Sequence, residues 1–199
     1  RAAGQAVRRY RKLIEEEETE ISKMRTDADT AYDSIRDINS ISKEYHQELF
    51  DLCSIGAEAN ATFPQEGFFE YAHEMLGDAG VLDNIEYCPY VNSRLGIKID
   101  GYSWNELEKV INIICIDYTN ERDIIESLTN EMIKKAGERV TRFVEKIGDQ
   151  RFYESLASTD PGRDAFNLIS EFIVSAIKFR VVLMTDKTLS TRVKKIEMP

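Results

Sequence analysis

Residues 96–118 read GIKIDGYSWNELEKVINIICIDY, and their pattern decides the fold. Two adjacent strands joined by a short polar turn account for it. In the first, Ile97 and Ile99 alternate with Lys98 and Asp100, the period of a strand with two unlike faces. A turn is expected at Gly101, Tyr102 and Ser103. The second strand, 110–118, is apolar on both faces, as a central strand covered on both sides must be. At its end, on the face of Ile111, Ile113 and Cys115, stands Asp117. Acids at the ends of neighbouring strands serve either as metal ligands or as ordinary residues at the rim of a core. The sequence leaves both readings open.

The chain has 199 residues, 42% of them hydrophobic and 31% charged, which fits one soluble domain with or without an appendage. No run approaches the roughly 18 apolar residues of a membrane span, so no membrane partner is expected. Cys53, Cys88 and Cys115 are far apart and odd in number, each in or beside an apolar segment. They read as reduced, buried thiols, which places the chain in the cytoplasm. With His46 and His73 the only histidines and no CxxC, no structural zinc site is expected. The net charge of −10 is unlike a stand-alone DNA-binding domain. Residues 180–199, however, carry Arg180, Lys187, Arg192, Lys194 and Lys195 against Asp186 and Glu197. This basic tail either grips phosphates or begins the next element of a longer protein. The missing initiator methionine and the strand-like ending point to such a longer protein.

Residues 5–39 predict one long helix. Val7, Ile14, Ile21, Ala28 and Ile35 fall at one heptad position, and Tyr10, Glu17, Met24, Ala31 and Ile38 at the other. Only Glu17 is out of character, which describes a coiled coil with a second copy or a long amphipathic helix lying on its own domain. Asn39 and Ser40 are expected to break this helix and cap another, which Gly56 ends. The chain therefore divides at 1–40, the long helix, and 41–199, the domain proper.

Within that domain, Pro64 starts a helix over 65–76 that carries Glu70, His73 and Glu74. A strand follows at 85–91, where Pro89 signals an edge or a bulge. Thr129 caps a helix over 130–147, and Asp160-Pro161 opens another over 163–178. The last strand is 179–185. Trp104 is expected to pack on the sheet, with base stacking as the alternative.

The resulting order is helix, three meandering strands, two helices and a strand that pairs parallel to a central one through its crossover. The fold class is α/β (α+β), a four-stranded mixed sheet flanked by helices and preceded by a long helix. That is the layout of restriction-endonuclease-like cores. Such cores place one acid on the second strand and an acid-x-lysine on the third, so that two carboxylates hold a divalent cation against the scissile phosphate. Asp100 takes the first place. Cys115 and Asp117 stand where the acid and the lysine belong. A migrated site would use Asp100 and Asp117 as Mg²⁺ ligands, with Lys98 for positive charge and Glu70 or Glu74 completing the shell. Phosphate-cradling glycine loops and a GxSxG elbow are absent from the sequence.

The runs FFEYAHEMLGDAGVLDNIEYCPY (68–90), LGIKIDGYSWNELEKVINIICIDY (95–118) and RVVLMTDKTLSTR (180–192) resemble the N-terminal region of the abortive infection phage resistance (AIPR) family. The resemblance spans roughly residues 43–195. It implies an intracellular anti-phage protein whose N-terminal part precedes a larger C-terminal one, with a nuclease-related role acting on nucleic acid. Two functions are carried forward. One is metal-dependent cleavage at Asp100, Asp117 and Lys98. The other is a non-catalytic, homodimeric sensing module for a C-terminal effector. A decoy that binds a nucleic-acid enzyme through its acidic face is a third option.

Overall fold

The computed structural model describes residues 2–82 and 84–193, with side chains from residue 16 onward. The elements in chain order are α1 (Ala2–Asn60), α2 (Pro64–Asp78), β1 (Glu86–Asn92), β2 (Ile97–Asn105), β3 (Val110–Asp117), β4 (Ser127–Leu128), α3 (Asn130–Val144), α4 (Gln150–Ser155), α5 (Pro161–Phe172), β5 (Lys178–Thr185) and β6 (Thr188–Leu189). The chain forms two compact units, Arg1–Tyr45 and His46–Pro199.

In the first unit, helix α1 runs without interruption past Asn39 and Ser40, where the sequence predicted a break. The hydroxyls along this stretch are satisfied inside the helix. Thr26, Thr30 and Ser34 donate to the carbonyls of Ser22, Thr26 and Thr30 at 3.1, 2.9 and 2.9 Å, and Ser40 donates to the Glu44 carboxylate at 3.5 Å. A side chain that bonds one turn away has no call to cap a new helix. The heptad residues Val7, Tyr10 and Ile14 lie outside the described side chains. Ile21, Met24, Ile35, Ile38 and Tyr45 are 55–64% exposed.

In the second unit, α1 continues through Gly56, where it was expected to stop. Leu49, Cys53 and Ala57 are buried around that glycine, and their burial outweighs the roughly 1 kcal/mol that an interior glycine costs a helix. The helix ends where Ala61 turns left-handed (φ 55°) and the Thr62 N–H donates to the Ala57 carbonyl at 2.9 Å. Pro64 then opens α2.

The mixed sheet has the strand order β1-β2-β3-β5, with β1, β2 and β3 antiparallel in turn and β5 parallel to β3. This is the predicted arrangement of a helix-flanked, four-stranded α+β sheet. Pro89 sits in a bulge on the edge strand β1, where the register slips between Tyr87 and Tyr90. Strand β2 extends through Gly101, Tyr102 and Ser103 to Asn105, so the reversal comes at residues 106–109 rather than at Gly101. A second, two-stranded parallel pair, β4 with β6, was not foreseen.

Both faces of β3 are covered. Ile111, Ile113 and Cys115 pack with Val140, Phe143, Ala165, Phe166 and Ile169 from α3 and α5. Ile114 and Ile116 pack with Leu49, Cys53, Phe68 and Phe69 from α1 and α2. Thr129 caps α3 and Asp160 caps α5 through their side chains, as expected, and Asp149 caps the short α4. Trp104 packs on the sheet side, stacked on Phe172 with ring centroids 4.8 Å apart.

Candidate functional site

Strands β2 and β3 are paired from Asn105↔Val110 back to Gly101↔Ile114, and there the ladder stops. Beyond that point side chains replace it. The Ile116 N–H donates to Asp100 Oδ2 at 2.7 Å, and Lys98 Nζ donates to the Ile116 carbonyl. Both backbone groups of one β3 residue, Ile116, are thus held by two side chains of β2. Across β2, the bulge of β1 sets Cys88 and Pro89 against Asp100 alone. The alternation of β2 slips at the same place: Ile97, Ile99 and Tyr102 all join the core under α3 and α5, while Gly101 faces Phe69 and Ile85.

Asp100 is fully buried. Its Oδ1 accepts from Gln65 Nε2 of α2 at 2.8 Å, and its Oδ2 stands 3.3 Å from Lys98 Nζ. Burial lifts the carboxyl above the ordinary carboxylate range, outweighing the pull of Lys98, the Ile116 N–H and Gln65 toward the ionised form. Every oxygen of this acid therefore has a protein donor.

Asp117 is held by other partners. Lys187 Nζ lies 3.4 Å from its carboxylate, 2.7 Å from that of Glu126 and 2.9 Å from the Thr119 hydroxyl. Burial opposes the charge on Lys187, but its hydrogen bond to Glu126 and its contact with Asp117 outweigh that, so its pKa is raised. The Thr185 hydroxyl donates to the Asp117 carbonyl at 2.8 Å, and the Thr119 N–H donates to Asp186. Lys187 and Arg180, counted from sequence as part of a basic tail, are both spent on ion pairs, Arg180 with Glu108 at 3.2 Å. Lys194 and Lys195 lie outside the described residues.

The structure brings Lys98 to Asp100 and sets Lys98 and Asp117 on the wall of one cavity. Glu70 is exposed on α2, where it accepts from Asn60 Nδ2 at 3.2 Å, and Glu74 is exposed as well. Among the described residues there is no group of three or more His, Cys, Asp or Glu side chains placed to hold a metal ion. A divalent cation takes its oxygen ligands from carboxylates free to face it. Asp100 has both oxygens engaged by donors, and Asp117 is tied to Lys187. Cys115 is a buried core residue whose thiol is pushed up to about 11 by burial, which makes it a poor nucleophile.

Two residues that position this region were missed from sequence. In the sequence Gln65 marks only the start of a helix and Lys187 is only one charge of a basic run. A polar residue facing an acid across two elements leaves no periodic trace, so no local pattern signals either.

Residues 68–198 match the family model described as the abortive infection phage resistance protein N-terminal domain. No curated protein and no solved structure matches the chain. Among the described residues, no helix is long and apolar enough to cross a membrane.

Proposed function

The chain belongs to the abortive infection phage resistance family, and on that premise we propose that it serves phage defence as a self-associating, non-catalytic module. One observation carries this reading: α1 presents Ile21, Met24, Ile35, Ile38 and Tyr45 in heptad register, more than half exposed. Apolar residues at such spacing are buried when two helices pair. The partner is a second copy of the chain, because the register belongs to this helix itself. The folded sheet domain would then supply a sensing or relay surface to a C-terminal effector region. Three free, buried thiols favour a reducing, cytoplasmic setting. Sedimentation equilibrium tests the reading. A mass that doubles with concentration supports it, and a monomer at several hundred micromolar removes it.

A nuclease-related function on a restriction-endonuclease-like core is the second reading. It is favoured by the strand layout and by Asp100 and Lys98 lying where β2 and β3 part. Asp100, Asp117 and Glu70 would be its Mg²⁺ ligands, with Lys98 beside them and DNA or RNA as substrate. The engaged carboxylates count against it. Cleavage of DNA and RNA by wild type and Asp100→Ala, with and without Mg²⁺, distinguishes the two. Metal-dependent activity lost in a folded variant favours the nuclease, whereas no activity in either protein favours the module.

A further inference from the structure

Lys135 and Arg139 lie one turn apart on α3, on the side turned toward the parting of β2 and β3. With Lys98, Asp117, Cys115 and Met132 they line a cavity of about 190 Å³. The neighbouring cations of α3 are neutralised: Lys134 and Arg142 meet Glu138 at 3.8 and 3.7 Å, and Arg142 also donates to the Gly96 carbonyl. Lys135 and Arg139 have no ion-pair partner among the described residues. Lys98 faces Asp100, and Asp117 shares Lys187 with Glu126. The cavity lining carries three cations, Lys98, Lys135 and Arg139, against one carboxylate, Asp117, in a chain whose net charge is −10.

Two cations without an ion-pair partner among the described residues therefore face one recess. The arrangement suits an anion with several acceptor oxygens. A guanidinium offers a planar fork to two oxygens of a phosphate, and an ammonium adds a point charge. We propose that this cavity binds a phosphate group through Arg139 and Lys135, with the Lys98 ammonium at its inner wall. Two sources share that chemistry, a free phosphate compound and the terminal phosphate of a nucleic-acid strand. The inference stands apart from self-association through α1, which involves none of these residues.

The test is a titration of the 199-residue protein at low salt, followed by amide chemical shifts around residues 115–117 and 132–139. The probes are inorganic phosphate, a nucleoside 5′-monophosphate and a 5′-phosphorylated single-stranded DNA oligonucleotide. The proteins are wild type, Arg139→Gln, Lys135→Met and the control Lys134→Met, each first checked for unchanged circular dichroism. Binding of the probes to wild type is expected, weakened at least tenfold in Arg139→Gln and in Lys135→Met and unchanged in Lys134→Met. Equal affinity for all three probes assigns the site to the phosphate itself, and tighter binding of the oligonucleotide assigns it to a strand end. No response of wild type to any probe, or the same loss in Lys134→Met as in Arg139→Gln, overturns the proposal.

Discussion

The Asp100 carboxylate accepts the Ile116 backbone N–H at 2.7 Å, two residues beyond the last paired position of β3. A side chain of β2 thereby does what a backbone carbonyl does elsewhere in the ladder. Removing it leaves the Ile116 N–H and the Gln65 amide without their acceptor in a buried place, and leaves the Lys98 ammonium with the Ile116 carbonyl but no carboxylate. Asp100→Ala is expected to lower unfolding free energy by about 3 kcal/mol, the scale for breaking a buried charged pair. Urea unfolding measures it, and a loss below about 1 kcal/mol would mean that water takes over the acceptor's role.

The pH dependence follows from the same burial. The Asp100 carboxyl is lifted above its ordinary value chiefly by desolvation. Between the ordinary and the lifted value, the folded protein keeps a proton that the unfolded chain has released. The contribution of Asp100 to stability is therefore greatest in acid and falls as pH rises through that window. The stability difference between wild type and Asp100→Asn should shrink as pH climbs above about 4. A difference that grows instead would show that the donors around the carboxylate outweigh its desolvation.

The proposed self-association would run through the exposed heptad face of α1. Placing a carboxylate at its centre, as in Ile38→Asp, puts a charge where two helices would bury it. The variant is expected to sediment as a monomer at concentrations where wild type is dimeric, with dissociation raised at least a hundredfold. Wild-type-like mass for Ile38→Asp would place the contact elsewhere.

Gly162 opens α5 against β1. A Cβ there would lie 2.6 Å from the Tyr90 ring, whose own burial leaves it little room to retreat. Gly162→Ala should cost about 1–3 kcal/mol through overpacking. Thermal unfolding reads this directly. A neutral result would show that Tyr90 has a second rotamer available in the core.

Much of this fold was legible because burial writes itself into sequence as periodicity. The two-faced apolar run of β3 announces a strand with cover on both sides, and Asp160-Pro161 announces the start of a helix. Gly101 misled for a physical reason. It resembles a turn residue, yet it lies within β2 because a Cβ there would stand 2.9 Å from the Glu86 carbonyl and 3.1 Å from the Phe69 ring. Close approach and chain reversal both favour glycine, and the sequence does not separate them. Asn39 and Ser40 misled similarly, since a hydroxyl caps a helix or bonds within one with the same atoms. The candidate acids were legible as residues but not as a site. Whether Asp100 faces solvent or a backbone N–H depends on a bulge in β1 and a glutamine on α2, neither of which its own strand encodes.

The parallel pairing of β3 with β5 sets an order on the birth of the molecule. Val110 meets Lys178 and Asp117 meets Thr185, so the last partner of the most apolar strand leaves the ribosome after α3, α4 and α5. Until then β3 is a bare sheet edge, the kind of surface on which nascent chains stick to one another. A ribosome stalled before residue 178 would hold a chain with that edge open.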